Sequence, residues 1–153
     1  MRRLSLALLA LAALAGCGGV GRTSPESLRQ VPLVSGAQIV SQTKQCDIGS
    51  NRFCALEAVV VDRQAGSSGA LTAAEDRLLH RRGWKSSAGD DGDEVAADSP
   101  GQKLRVTYAT AFDDLIGLDE HWIKRASSIE IALDRTVINR TPAMSIMLEV
   151  GPT

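Results

Sequence analysis

The sequence predicts an α+β domain, a small ferredoxin-like (βαββαβ) sandwich with its helices on one face of an antiparallel sheet. Three observations lead there. Leu104–Thr110 and Ala143–Val150 alternate apolar and polar residues with period two; residues 53–62 form a valine-rich apolar run; and stretches of helical period separate these segments. A chain of 153 residues has room for one such domain and not for a second large one.

Residues 53–62 read as a buried strand closed by the polar turn 63–69. Thr72 and Glu75 then have the spacing of a capping box, in which hydroxyl and carboxylate satisfy each other's backbone N–H groups, so a helix is expected to begin at Thr72. Leu71, Leu78, Leu79 and Arg82 keep helical spacing, and Arg77, His80, Arg81 and Arg82 suit the negative end of the helix dipole. Gly83 is placed to stop this helix and Trp84 to pack over its end. Residues 84–87 are expected as a short edge strand and 88–101 as a polar loop. In Leu104–Thr110 the apolar face is Leu104, Val106 and Tyr108. Leu115, Leu118, Trp122, Ala126, Ile129, Leu133 and Val137 then recur every three or four residues as one apolar stripe, with Asp113 as its cap. Gly117 and Ser127-Ser128 allow the stripe to be two helices, and residues 129–133 also fit a strand. Pro142 opens the closing strand, in which Met144, Ile146, Leu148 and Val150 share a face.

The N-terminus carries the strongest signal. Met1-Arg2-Arg3 is basic, and residues 4–15 are a run of 12 residues in which only Ser5 is polar. At a rise of 1.5 Å per residue such a run reaches roughly 18 Å, short of the ~30 Å hydrocarbon core, so it reads as the apolar region of a signal peptide. It closes on Leu14-Ala15-Gly16-Cys17, which resembles the lipobox of bacterial lipoproteins. The resemblance covers the first 17 residues. It implies a diacylglycerol on the Cys17 sulfur and cleavage by signal peptidase II between Gly16 and Cys17. Two acyl chains at about 0.8 kcal/mol per buried methylene give on the order of 20 kcal/mol of gross membrane affinity. Ordinary secretion, with cleavage after Ala15 or Gly16, is the alternative reading and leaves Cys17 a free thiol.

The organisation expected is therefore a signal peptide over 1–16, a lipidated flexible tether over 17–36, rich in glycine at its start, and a single domain over 37–153. Loss of Arg2 and Arg3 with the leader changes the net charge from -1 to -3. Cys46 and Cys54 remain as an even pair in an oxidising compartment and are expected to form a disulfide. Closing their nine-residue loop adds roughly 2.5 kcal/mol in the chain-entropy account. A redox pair places its cysteines closer, and no histidine stands nearby to complete a metal site.

Composition excludes several functions. With 44% hydrophobic and 23% charged residues the chain is neither disordered nor a polytopic membrane protein. Near neutrality, without a basic block after Arg3, it lacks the footprint of a nucleic-acid binder. No familiar catalytic, phosphate-binding or metal-binding motif occurs, so no catalytic residue, metal or cofactor is expected. His80 reads as a surface residue. His121, beside Asp119, Glu120 and Trp122, is a conceivable general base but more simply another. The acidic run Asp90-Asp91-Gly92-Asp93-Glu94 lacks EF-hand spacing and reads as a solvated loop. Arg77, Arg81, Arg82 and Lys85, with Lys124 and Arg125 elsewhere, are candidates for a patch that meets anionic headgroups. Trp84 and Trp122 are candidates for stacking on a ligand, with packing the simpler reading.

The expectation is a bacterial cell-envelope lipoprotein: a noncatalytic interaction or assembly module held on the extracytoplasmic face of a membrane by lipidated Cys17, with an envelope protein as its partner. The alternative is a solute-binding lipoprotein with a pocket between the sheet and the long helix.

Overall fold

The computed structural model describes residue 25 and residues 27–46, 54–87, 95–116 and 125–151. Gly16, Cys17, the acidic run 90–94, Leu118, His121, Trp122 and Lys124 lie outside the described residues. The described chain is a mixed α+β fold whose six strands form one antiparallel sheet. They are β1 (Gln38–Cys46), β2 (Cys54–Val61), β3 (Lys85–Ser87), β4 (Val95–Asp98), β5 (Leu104–Thr110) and β6 (Ala143–Val150), in spatial order β1-β2-β6-β5-β4-β3. The helices are α1 (Ser68–Arg81), α2 (Ala111–Ile116) and α3 (Ser127–Ile138).

This order corrects the ferredoxin-like expectation. That arrangement sets the first and third of the four expected strands side by side and parallel. Here β6 lies between β2 and β5 and pairs antiparallel with both. The helices are also not confined to one face. Successive strand residues point to opposite sides, and in β2 Ala58 and Val60 join the core under α1 while Val59 and Val61 join a second core under α2 and α3. The first contains Leu71 and Leu79 of α1, Val106 and Tyr108 of β5, and Met144, Ile146 and Leu148 of β6. The second contains Ala111, Ile129, Leu133 and Ala143. A strand with unbroken apolar residues must bury both of its faces, and one helical layer cannot cover both.

α1 begins one turn before the expected Thr72. Ser67 is its cap, accepting from the Ala70 N–H at 3.0 Å. Thr72 instead donates its hydroxyl hydrogen to the Ser68 carbonyl one turn back, and Glu75 is fully buried. Gly83, at φ +84°, ends the helix in a Schellman arrangement: Trp84 N–H bonds the Leu79 carbonyl and Gly83 N–H the His80 carbonyl, both at 3.0 Å. Trp84 is buried over that end.

Of the described residues of the stripe, Leu115 lies on α2, Ala126 precedes α3 as its N-cap, and Ile129, Leu133 and Val137 lie on α3. α2 is capped by Thr110, whose hydroxyl oxygen accepts from the Asp113 N–H at 3.1 Å; Asp113, the expected cap, lies inside the first turn. Residues 129–133 are helical. Within the stretch 17–36, Leu28–Gln30 form one 3₁₀ turn closed by a Ser27–Gln30 capping box, and Leu28 and Val31 are buried against the α1 face. β1 and β4 lie where no strand was expected. Cys46 and Cys54 face each other directly across the β1–β2 pair and form a disulfide.

Candidate functional site

A groove of about 330 Å³ lies between the β1 edge and α3. β1 is the outermost strand and pairs only with β2, so its outer backbone edge has no strand partner among the described residues. The register shifts between Ile39 and Ser41, which makes Val40 the extra residue of a β-bulge, and its side chain is 52% exposed. α3 faces it with Ile131, 53% exposed, and Ala132. The Ser41 hydroxyl donates to the Ser128 carbonyl at 3.2 Å and sets the spacing between helix and strand. Val61 adds an apolar wall, and Arg63 and Arg135 supply the charge. No acidic side chain lines the groove, and neither arginine makes an ion pair among the described residues.

A second concavity lies between the sheet and the two helices α2 and α3. It measures about 30 Å³ and is lined by Glu57, Asp114, Arg125, Thr107, Ser145 and Met147 among others. Arg125 donates to the Asp114 carboxylate at 2.5 Å and to its carbonyl at 3.3 Å, bracing α2 against the entry to α3. Asp114 is buried, and its Oδ2 and the Arg125 Nε have no hydrogen-bond partner among the described residues. Gln45 donates to Glu57 at 3.0 Å. Burial raises the Glu57 carboxyl above its ordinary value, against the opposing pull of Arg125 and Gln45. About 30 Å³ is the scale of single water molecules, an order below the volumes that hold small ligands.

On the opposite face, His80 Nε2 lies 2.8 Å from the Ser86 hydroxyl and its Nδ1 lies 3.6 Å from Asp76. Serine, histidine and aspartate in that order have the direction of a nucleophilic triad. The details argue for a structural clasp. The short bond of Asp76 goes to the Tyr108 hydroxyl, at 2.6 Å, and the His80 side chain is 44% exposed, so water competes for both of its nitrogens. Burial and that bond both hold the Tyr108 proton firmly. The clasp joins α1 to β3 and β5.

The sequence-derived candidates are distributed as follows. Cys46 and Cys54 come together. Arg77, Arg81, Arg82 and Lys85 are exposed at one end of α1 and the start of β3, whereas Arg125 sits on the other side of the sheet, paired with Asp114. Trp84 packs in the core and is not a stacking platform. The groove was missed because its lining comes from four separate stretches of chain. The one local signal was Ile131, an isoleucine off the buried stripe of α3. Comparison of the chain with known protein families, with curated proteins and with solved structures finds no significant match.

Proposed function

We propose that the protein is a bacterial cell-envelope lipoprotein, a noncatalytic interaction module anchored through lipidated Cys17 on the extracytoplasmic face of a membrane, and that it meets an envelope protein through the groove between β1 and α3. The observation that carries the reading is the exposure of Val40 and Ile131 across a concavity bordered by a strand edge that has no strand partner among the described residues. Apolar side chains gathered at such an edge mark a binding surface, whereas single exposed ones do not. The anchor contributes by confining the module to a thin layer, which raises its effective concentration toward a partner in the same layer. A disulfide between Cys46 and Cys54 accords with an oxidising compartment. The solute-binding alternative draws less support, because the inner space between sheet and helices is filled by the Glu57, Asp114 and Arg125 side chains and the groove between β1 and α3 is an open one whose Val40 and Ile131 are half exposed.

In-cell crosslinking tests this. A photo-crosslinking amino acid in place of Ile131 is expected to capture one reproducible envelope protein, and Cys17→Ala to reduce that capture together with membrane association. A fluorophosphonate probe is expected to leave Ser86 unlabelled. Absence of a reproducible neighbour at Ile131, or labelling of Ser86, overturns the corresponding part of the reading.

A further inference from the structure

We infer that the groove between β1 and α3 takes an extended, acidic and aliphatic segment of a protein partner, which seats an apolar side chain between Val40 and Ile131 and a carboxylate against Arg63 and Arg135. This deepens the reading above and rests on it. Three features select that chemistry.

The first is charge. Arg63, on the turn after β2, and Arg135, in the last turn of α3, are the charged residues among the groove's described lining. Asp62 stands beside Arg63 in sequence, but it is buried and accepts from the Gln64 N–H at 2.8 Å. Glu130 and Asp134 of α3 do not line the groove. The two guanidiniums therefore present a local excess of positive charge, and a guanidinium's fork of donors matches a carboxylate.

The second is the apolar lining. Val40, Val61, Ile131 and Ala132 make a wall suited to an aliphatic side chain. Ser41 and Ser128 are already bonded to each other through side chain and backbone, so the hydroxyl of Ser41 is committed to holding the groove's shape.

The third separates a peptide from a lipid. Beside the groove runs the outer edge of β1, whose outward backbone N–H and C=O groups have no strand partner among the described residues. An extended peptide satisfies such groups by adding a strand, as an acyl chain does not. The bulge at Val40 interrupts the regular ladder at one end of β1, so strand addition is favoured only where a side chain also enters the groove. A second copy of the chain is a poorer occupant of the groove, because its own Arg63, Arg135 and edge residue Lys44 bring like charge to the same place.

The test uses the full chain purified in mild detergent and a fluorescein-labelled octapeptide of alternating valine and glutamate. Saturable binding by anisotropy is expected, weakened on the order of tenfold by added salt, by Arg63→Glu with Arg135→Glu, and by Ile131→Glu. The same peptide with lysine for glutamate should not bind. Unchanged urea midpoints of the variants establish that they fold. No saturable binding up to millimolar peptide, equal binding of the lysine peptide, or binding indifferent to the variants overturns the inference. So does binding of phosphatidylglycerol vesicles that needs both arginines while the peptide is ignored, or a dimer in sedimentation that Ile131→Glu dissociates. Intact-mass analysis of Cys17 in the same preparation keeps the two readings apart: a bare thiol removes the anchor and leaves the peptide result standing.

Discussion

Glu75 shows how a residue can be placed by tertiary structure against its local pattern. Thr72 and Glu75 have capping-box spacing, yet Glu75 turns inward and accepts from the Val34 N–H at 3.0 Å, holding the segment before β1 onto α1. Its Oε1 has no hydrogen-bond partner among the described residues, and burial raises its carboxyl to about 7. The proton therefore stays on in the folded state over a range where the unfolded chain has released it. Stability from this group is complete below pH 4.5, falls as pH rises toward 7, and is constant above. The full loss is about 3 kcal/mol. Urea midpoints from pH 4 to 8 should show that fall, and Glu75→Gln, whose amide oxygen still accepts from Val34, should abolish most of it. An identical pH dependence in the variant would assign the effect elsewhere. Gly151 is a second such residue. A Cβ there would stand 2.1 Å from the Gln102 carbonyl oxygen, which is backbone and cannot swing away, beside the 2.8 Å bond from Gly151 N–H to the Lys103 carbonyl. Gly151→Ala should cost about 3 kcal/mol, the upper end for overpacking, in the same urea experiment.

At the scale of elements, legibility followed the strength of the pattern. β5 and β6 were readable because half-buried strands alternate, and α1 stopped where Gly83 and Trp84 demanded. β1 was not readable, since an edge strand such as Gln38–Cys46 exposes most of its side chains and needs no apolar period. β4 was hidden by length: four residues carry too little alternation, and the acidic run before them suggested a loop. The two-sided burial of β2 was present in Val59-Val60-Val61, an unbroken run that one helical layer cannot cover. β1 depends on its partner for more than register. It lies at the rim of the sheet, with Cys46 bound across to Cys54 at the far end of the pair from the groove. Cys46→Ser with Cys54→Ser should lower stability by about 2 to 3 kcal/mol. Hydrogen exchange should show that loss first in β1, with β5 and β6 still protected. Uniform loss of protection would mean that the disulfide acts on the whole sheet and not on its edge.

The sheet sets apart two faces of different character across the whole molecule. The α1 face is closed by Leu28, Val31 and Trp84 and clasped by Asp76, Tyr108, His80 and Ser86, while the α3 face carries both concavities. The groove could not be read from any sequence window, because chain segments near residues 40, 61, 131 and 141 meet only once β1 and α3 are in place. The proposed lipobox, Leu14-Ala15-Gly16-Cys17, is in contrast wholly local, as a signal read by processing enzymes must be. Anchor and folded body should then be energetically separate. Pro25, eight positions after Cys17, is already buried, and Leu28 is the first described residue of the hydrophobic core; separation holds if the lipid shares no partners with these residues, since such interactions add independently. Replacing Cys17 by Ala should therefore move the protein from the detergent to the aqueous phase in a phase-partition assay while leaving its urea midpoint unchanged. A shifted midpoint would show that the lipid, or the segment carrying it, packs against the domain. In that case the groove between β1 and α3, with its apolar wall of Val40, Val61, Ile131 and Ala132, would be the first place to seek it, with the exposure of Val40 and Ile131 then a property of the unlipidated chain alone.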